Sequence, residues 1–177
     1  MEKTKNVIKV LKNGGVGVMP TDTIYGLVGS ANSRKAINRI YKIKKRNKKK
    51  KLIVLISSVK DLKKFGINLT SVQSSLNKFW PHSAKATRGK PKPVSIILGG
   101  TAFRLPAKKS LIEFLKKTGP LVAPSANPEG LSPAKNIGEA KKYFGDKVDF
   151  YLAGGTLKGK PSKLIKIEDN GKIKVLR

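Results

Sequence analysis

Cysteine is absent from the 177-residue chain, which excludes a disulfide frame and a thiolate metal site. A single histidine, His82, excludes a His-rich metal centre and paired-histidine chemistry. No apolar run reaches the roughly 18–20 residues that span a bilayer. The N-terminus, Met1 to Asn6, leads into an amphipathic pattern and lacks a signal peptide's apolar core. The expectation is a cytoplasmic protein with no membrane partner. Acids are scarce: 10 Asp and Glu stand against 39 Lys and Arg, for a net charge of +29. Such a field attracts polyanions, nucleic acid or nucleotide phosphates. A lysine-biased composition explains the global charge equally well. The few arginines are more informative, because lysine does not replace a planar guanidinium at a bidentate site.

The length suits one domain, 1–177, with no second domain. Val7, Ile8 and Leu11 recur at helical spacing, and Gly14-Gly15 closes that helix. Val16–Met19 reads as a buried strand. Asn32 or Ser33 caps a second helix with Ala36, Ile37, Ile40 and Tyr41 inward. Lys42 to Lys51 then holds eight cations in ten residues before the Leu52–Ile56 strand. Ser58 starts a helix through Leu62 and Phe65. Val72, Leu76, Phe79 and Trp80 mark another, stopped by Pro81. His82–Pro93 has no apolar periodicity and reads as a mobile loop. Val94–Leu98 and Phe103–Pro106 are extended. Ser110 and Glu113 form a capping box for a helix closed by Gly119. Leu121–Ala123 is a strand, Asn136 and Glu139 open a helix closed by Gly145, and Val148–Ala153 is a strand. Leu164–Ile167 and Ile173–Leu176 flank Asp169-Asn170-Gly171 as a hairpin. The alternation predicts one α/β domain, a twisted mixed sheet flanked by helices, with that hairpin as its antiparallel part.

Three polar clusters fall at strand ends: Thr21-Asp22-Thr23, Ser125-Ala126-Asn127 and Gly159 to Ser162. Each alone reads better as an Asx or Ser/Thr turn. Together, in an α/β sheet, they suit a crevice holding a small zwitterion or a phosphate. Arg104 alternates with Phe103 and Leu105, so it faces away from them, and its fork matches a carboxylate. The lysine run suits triphosphate neutralisation or an RNA patch. No P-loop, nucleophile motif or general-base histidine is present. An enzyme of this sequence works by positioning and electrostatics.

Taken in order, "PTDTIYGL" (20–27), "IYKIKKR" (40–46), "KKLIVLI" (50–56), "FWP" (79–81), "VSIIL" (94–98), "FRLP" (103–106), "GPLVAPSAN" (119–127), "LSP" (131–133), "GG" (154–155), "GKPS" (159–162) and "VLR" (175–177) resemble the YrdC-like family of L-threonylcarbamoyladenylate synthases. The resemblance implies an α/β domain with a concave basic cavity. It implies that L-threonine, bicarbonate and ATP yield threonylcarbamoyl-AMP and pyrophosphate, with Mg²⁺ accompanying ATP. The product then serves a threonylcarbamoyl-transferase partner acting on tRNA adenosine beside the anticodon. Carried over by position, Thr21, Thr23, Lys50, Arg104 and Ser162 bind threonine, with Arg104 on the carboxylate. Lys44, Arg46, Ser95, Ser125, Asn127, Ser132 and Arg177 hold ATP, and no protein side chain holds metal. The chain departs from the family pattern at Lys45 and Asn47, which replace the glycine and proline of "KGRP", and at Lys51, which replaces proline. Twelve residues, His82–Pro93, replace a short Pro-Gly-Pro link, and "PSK" stands for "PST". Two other readings are a non-catalytic double-stranded-RNA or tRNA binder, and a paralogue with another carbamoyl-type substrate. Only Tyr41 flanks the lysine run, which disfavours the stacking that an RNA binder uses.

Overall fold

Buried residues alternate between the two sides of short strands, and this alternation builds the architecture. In the computed structural model, which describes residues 2–80, 93–168 and 172–176, nine strands form one mixed sheet. They are β1 (Val16–Pro20), β2 (Tyr25–Ser30), β3 (Ile53–Leu55), β4 (Val94–Leu98), β5 (Thr101–Arg104), β6 (Leu121–Val122), β7 (Phe150–Tyr151), β8 (Lys163–Ile167) and β9 (Ile173–Val175). Across the sheet they run β7-β1-β2-β6-β3-β5-β4-β8-β9. The helices are α1 (Glu2–Lys12), α2 (Arg34–Lys44), α3 (Leu69–Phe79), α4 (Lys109–Thr118) and α5 (Ile137–Phe144), with a 3₁₀ helix over Val59–Phe65.

Val18, Leu27, Val54 and Val122 pack on one side of the sheet with Ile40 of α2, Leu76 of α3 and Phe144 of α5. Their strand neighbours Met19, Val28, Leu55 and Leu121 pack on the other side. There they meet Val7 and Leu11 of α1 and Leu111 and Leu115 of α4. The helices therefore cover both faces. Ser33 and Asn136 cap α2 and α5 with their side chains, as their positions predict.

Three expectations are corrected, and one strand that the sequence did not signal is added. The terminal hairpin is not the only antiparallel part: β1–β2, β2–β6, β3–β6 and β4–β5 are antiparallel too. The β4–β5 turn is Gly99-Gly100, both at positive φ, which matches the twist of a two-residue hairpin. Tyr25–Ser30 is a strand, masked in sequence by Gly26 and Gly29. At Gly29 a Cβ would sit 3.0 Å from the Ala36 Cβ, so glycine there lets α2 approach the sheet closely. The Ser110–Glu113 box does not form. Lys108 occupies the N-cap without a side-chain bond, and Glu113 pairs with Lys116 instead. The 148–153 strand is only Phe150–Tyr151. The β8–β9 pairing is as expected. Its turn, 169–171, lies outside the described residues, as do Pro81 to Lys92, which hold nearly all of the expected mobile loop.

Lys45 ends α2 at φ 51°, and among the described residues no other non-glycine residue has positive φ. A side chain in the left-handed region is strained. Lys45→Gly is therefore expected to stabilise the fold by about 0.5–1 kcal/mol, after the added unfolded-state entropy of glycine. Calorimetry should show the melting temperature rising by about 1–4 °C.

Candidate active site

β3 and β5 run parallel with Leu55 opposite Arg104, so both side chains leave the same face of the sheet. Phe103 points the other way, into the core. Beyond the cover of α1 and α4, this face opens into a cleft of about 690 Å³ including its mouth. Ile53, Leu55, Arg104 and Ala123 line it from the sheet. Thr21, Thr23, Ile24, Ser125, Pro161 and Ser162 line it from loops, and Arg46 and Lys51 from the basic segment.

Arg104 is only 5% exposed. Its Nη1 donates to Thr23 Oγ1 at 2.8 Å, and its Nη2 lies 2.6 Å from Asp22 Oδ1. The latter contact is an ion pair without hydrogen-bond geometry. Nε and Nη2 of Arg104 are thus buried donors with no hydrogen-bond acceptor among the described residues. Asp22 Oδ2 accepts from the Ala107 amide at 3.2 Å, which ties this pair to the segment after β5.

The β1–β2 turn sets this geometry. Thr21 Oγ1 donates to the Ile24 carbonyl at 2.7 Å and accepts from the Thr23 amide at 3.2 Å. Thr21 therefore shapes the turn, and Thr23 faces the guanidinium. A strap from Leu152 to Ser162 closes the outer wall. Tyr25, fully buried in β2, donates its hydroxyl to the Gly155 carbonyl at 2.7 Å and accepts from the Gly154 amide at 2.9 Å. At Gly159 a Cβ would fall on the Thr23 carbonyl oxygen, so the strap's backbone lies directly against the turn. Ser162, at the strap's end, shares a 2.8 Å hydrogen bond with Ser95.

Lys44, expected on phosphate, is not among the residues that line the cleft. Its side chain is buried, and its Nζ donates to the Ser125 and Asn127 carbonyls, each at 2.5 Å. This ammonium holds the Ser125–Asn127 loop from within. Burial pushes its pKa down to about 8, helped by the Arg46 charge and opposed by Glu129. Lys50 is also displaced from its expected role. It pairs with Glu129 at 2.5 Å, and it does not line the cleft. Glu129 Oε2 accepts from the Asn47 amide, so this one carboxylate fastens the basic loop to the 125–133 segment. The Lys50 hydrogen bond and the Asn47 amide hold the Glu129 carboxyl below the usual range.

Of the other expected residues, Thr21, Thr23, Arg46, Arg104, Ser125 and Ser162 converge on the cleft. Ser95 sits behind it, fully buried. Asn127 is turned into its own loop, donating to the Pro128 and Leu131 carbonyls. Ser132 is exposed and outside the lining. Arg177 lies outside the described residues. Sequence reasoning placed Asp22 in a candidate cluster but missed its pairing with Arg104, and it assigned no role to Glu129 or Lys51. The scarcity of acids in so basic a chain was the available signal for the two carboxylates.

A family model described as telomere recombination, the Sua5/YciO/YrdC model, matches residues 9–177. The chain belongs to the Sua5/YciO/YrdC family. It is 31% identical to the threonylcarbamoyl-AMP synthase of Marinobacter nauticus, covering 87% of this chain and 85% of that protein. It is 30% identical to the threonylcarbamoyl-AMP synthase of Hahella chejuensis, covering 90% and 91%. Its fold matches P. abyssi Sua5 solved in complex with L-threonine, at TM-score 0.83, 24% identity and 99% coverage of this chain. The chain spans about half of that longer protein, 54%. Among the described residues no helix is long and apolar enough to cross a membrane.

Lys44 titrates about two and a half units below its ordinary value of 10.5. Between about pH 8 and 10.5 the unfolded chain keeps a proton that the folded chain gives up. The Lys44 contribution to stability is therefore lowest below pH 8 and rises across this window. Urea unfolding at pH 7.5 and 9.5 should show the wild type gaining about 2 kcal/mol relative to Lys44→Met.

Gly159→Ala should push the strap off the Thr23 turn. Substrate binding is expected to weaken severalfold, and amide exchange at residues 154–160 should accelerate, as hydrogen-exchange mass spectrometry reads it.

Proposed function

We propose that the protein is a threonylcarbamoyl-AMP synthase, joining L-threonine, bicarbonate and ATP. The observation that carries this reading is Arg104. A buried guanidinium lines the cleft, held by Asp22 and Thr23 with its Nε lacking a hydrogen-bond acceptor among the described residues, beside hydroxyls of Thr23 and Ser162. A carboxylate is the anion whose planar shape and charge match a guanidinium. Small hydroxyl groups and the apolar Ile53, Leu55 and Ala123 suit a short β-hydroxy amino acid. The threonylcarbamoyl-AMP synthases at 30–31% identity point to the same chemistry.

In this reading the threonine amine, once deprotonated, attacks the bicarbonate carbon. A carbon–nitrogen bond forms and water leaves. A carbamate oxygen then attacks the α-phosphorus of ATP, and the bond to pyrophosphate breaks. Arg104, oriented by Asp22 and Thr23, fixes the carboxylate so that the amine points along the cleft. Arg46 and Ser125, which line the cleft, face the nucleotide. Lys44 and Asn127 act behind them by holding the 125–127 loop, and Ser95 does the same for Ser162. Ser132 and Arg177 complete the nucleotide set that the family resemblance implies. Mg²⁺ carried in with the triphosphate would supply charge neutralisation for the pyrophosphate leaving group. The mixed anhydride is passed to a transferase that modifies tRNA. Rate enhancement comes from orientation and fixed charge, with no covalent protein intermediate.

The test is pyrophosphate release with MgATP. Release should require both threonine and bicarbonate, and mass spectrometry should find the mixed anhydride. Release independent of the amino acid would defeat the proposal. Serine should be a poorer substrate, since one lost methyl contact is worth on the order of 1 kcal/mol. Arg104→Lys keeps the charge but loses the fork, so the threonine KM should rise more than tenfold, about 2–3 kcal/mol, with the ATP KM little changed.

A further inference from the structure

We infer that Lys51 is the lysine of the basic run that serves the cleft, as a ligand for the nucleotide phosphate bonded to the carbamoyl oxygen. The inference rests on the synthase reading and names a residue that the sequence did not single out. Its place in the cleft lining selects it. Leu52, Val54 and Ile56 pack into the core on the α2 side of the sheet. Lys51, Ile53 and Leu55 alternate with them and line the cleft. Lys50 lies in the bend before β3, Glu129 holds its ammonium, and it is not among the residues that line the cleft.

The backbone at this point is fixed. Arg46 donates Nε to the Lys50 carbonyl at 3.1 Å and Nη2 to the Lys51 carbonyl at 3.3 Å. The Tyr41 hydroxyl donates to the Lys50 carbonyl at 3.2 Å. Three donors thus hold the main chain of residues 50 and 51. Among the described residues the Lys51 ammonium has no ion pair or hydrogen bond, whereas Lys44 and Lys50 both have partners. Lys51 stands where the "KGRP"-containing family segment has proline, so this cation belongs to this chain.

The ligand follows from position. Leu55 is level with Arg104, and Lys51 lines the same cleft four residues earlier in the chain, before β3 begins. The cleft therefore has two cationic ends, Arg104 at one and Lys51 with Arg46 at the other. Threonylcarbamoyl-AMP is an anion at both ends, with five bonds between its carboxylate carbon and its phosphorus. With the carboxylate on Arg104, the phosphate falls toward Lys51. A compact, rotatable ammonium at an open rim suits a phosphate better than a second planar carboxylate.

The full-length chain and its Lys51→Ala, Lys51→Arg, Lys50→Ala and Lys49→Ala variants are compared. AMP and ATP binding are read by calorimetry, and threonine-dependent pyrophosphate release by steady-state kinetics. Lys51→Ala should weaken AMP and ATP binding at least tenfold with the threonine KM within twofold. Lys51→Arg should stay within threefold of wild type, and Lys49→Ala should be unchanged. Unchanged nucleotide binding in Lys51→Ala overturns the inference. So does a loss confined to the threonine KM, or a nucleotide loss in Lys50→Ala but not in Lys51→Ala. If the wild type binds nucleotide and Lys51→Ala loses it, but pyrophosphate release ignores threonine, the synthase reading fails and the phosphate role of Lys51 stands.

Discussion

A guanidinium placed in the middle of a sheet constrains everything around it. Arg104 leaves β5 among apolar neighbours, and a buried charge without a partner costs several kcal/mol. Asp22 supplies the opposite charge and Thr23 a hydroxyl, so the β1–β2 turn must sit against β5 although three strands separate β1 from β5 in the sheet order. Thr21 closes that turn, Gly159 lets the strap lie on it, and Tyr25 fastens the strap. Removing Asp22 would leave the arginine charge uncompensated. Moving the turn would take the pair apart. The pair stays incomplete as a hydrogen-bonded unit, and that residual donor capacity gives the cleft its chemistry.

The lysine-rich segment is organised by the few oxygen groups that reach it. Lys44 turns inward and binds the carbonyls of the Ser125–Asn127 loop. Lys50 turns sideways to Glu129, whose second oxygen takes the Asn47 amide. Arg46 binds the backbone of the same segment that it precedes. A run of like charges would repel itself and spread into solvent, and these anchors give each cation a distinct direction. The fold thus converts a uniform charge run into structural cations and cleft cations.

Much of this was legible in the chain. Apolar spacing located α1, α2 and α3, the start and stop signals Asn136 and Gly145 located α5, Ser33 marked the start of α2, and apolar runs located β1, β3, β4 and β8. The polar clusters at 21–23, 125–127 and 159–162 do meet in one place, because the strand ends carrying them converge on one face. β2 was not legible, since its two glycines serve helix packing and backbone pairing and carry no β-propensity. The Ser110–Glu113 box was a misleading local signal: Lys116 competes for the carboxylate one turn later, and the helix starts two residues early.

The sequence by itself determined the α/β class, the family and the residue types of the site. These depend on local periodicity and on short motifs, which neighbouring residues encode. Only the tertiary structure decided which way each cation faces. Lys44, Lys50 and Lys51 are chemically identical and nearly adjacent, so no local rule separates them. Their roles come from partners far along the chain, Ser125, Asn127 and Glu129, and from which of them lines the cleft. Asp22 was likewise undecided until folding placed it 2.6 Å from Arg104, because a carboxylate becomes an ion-pair partner only when a buried cation is brought beside it.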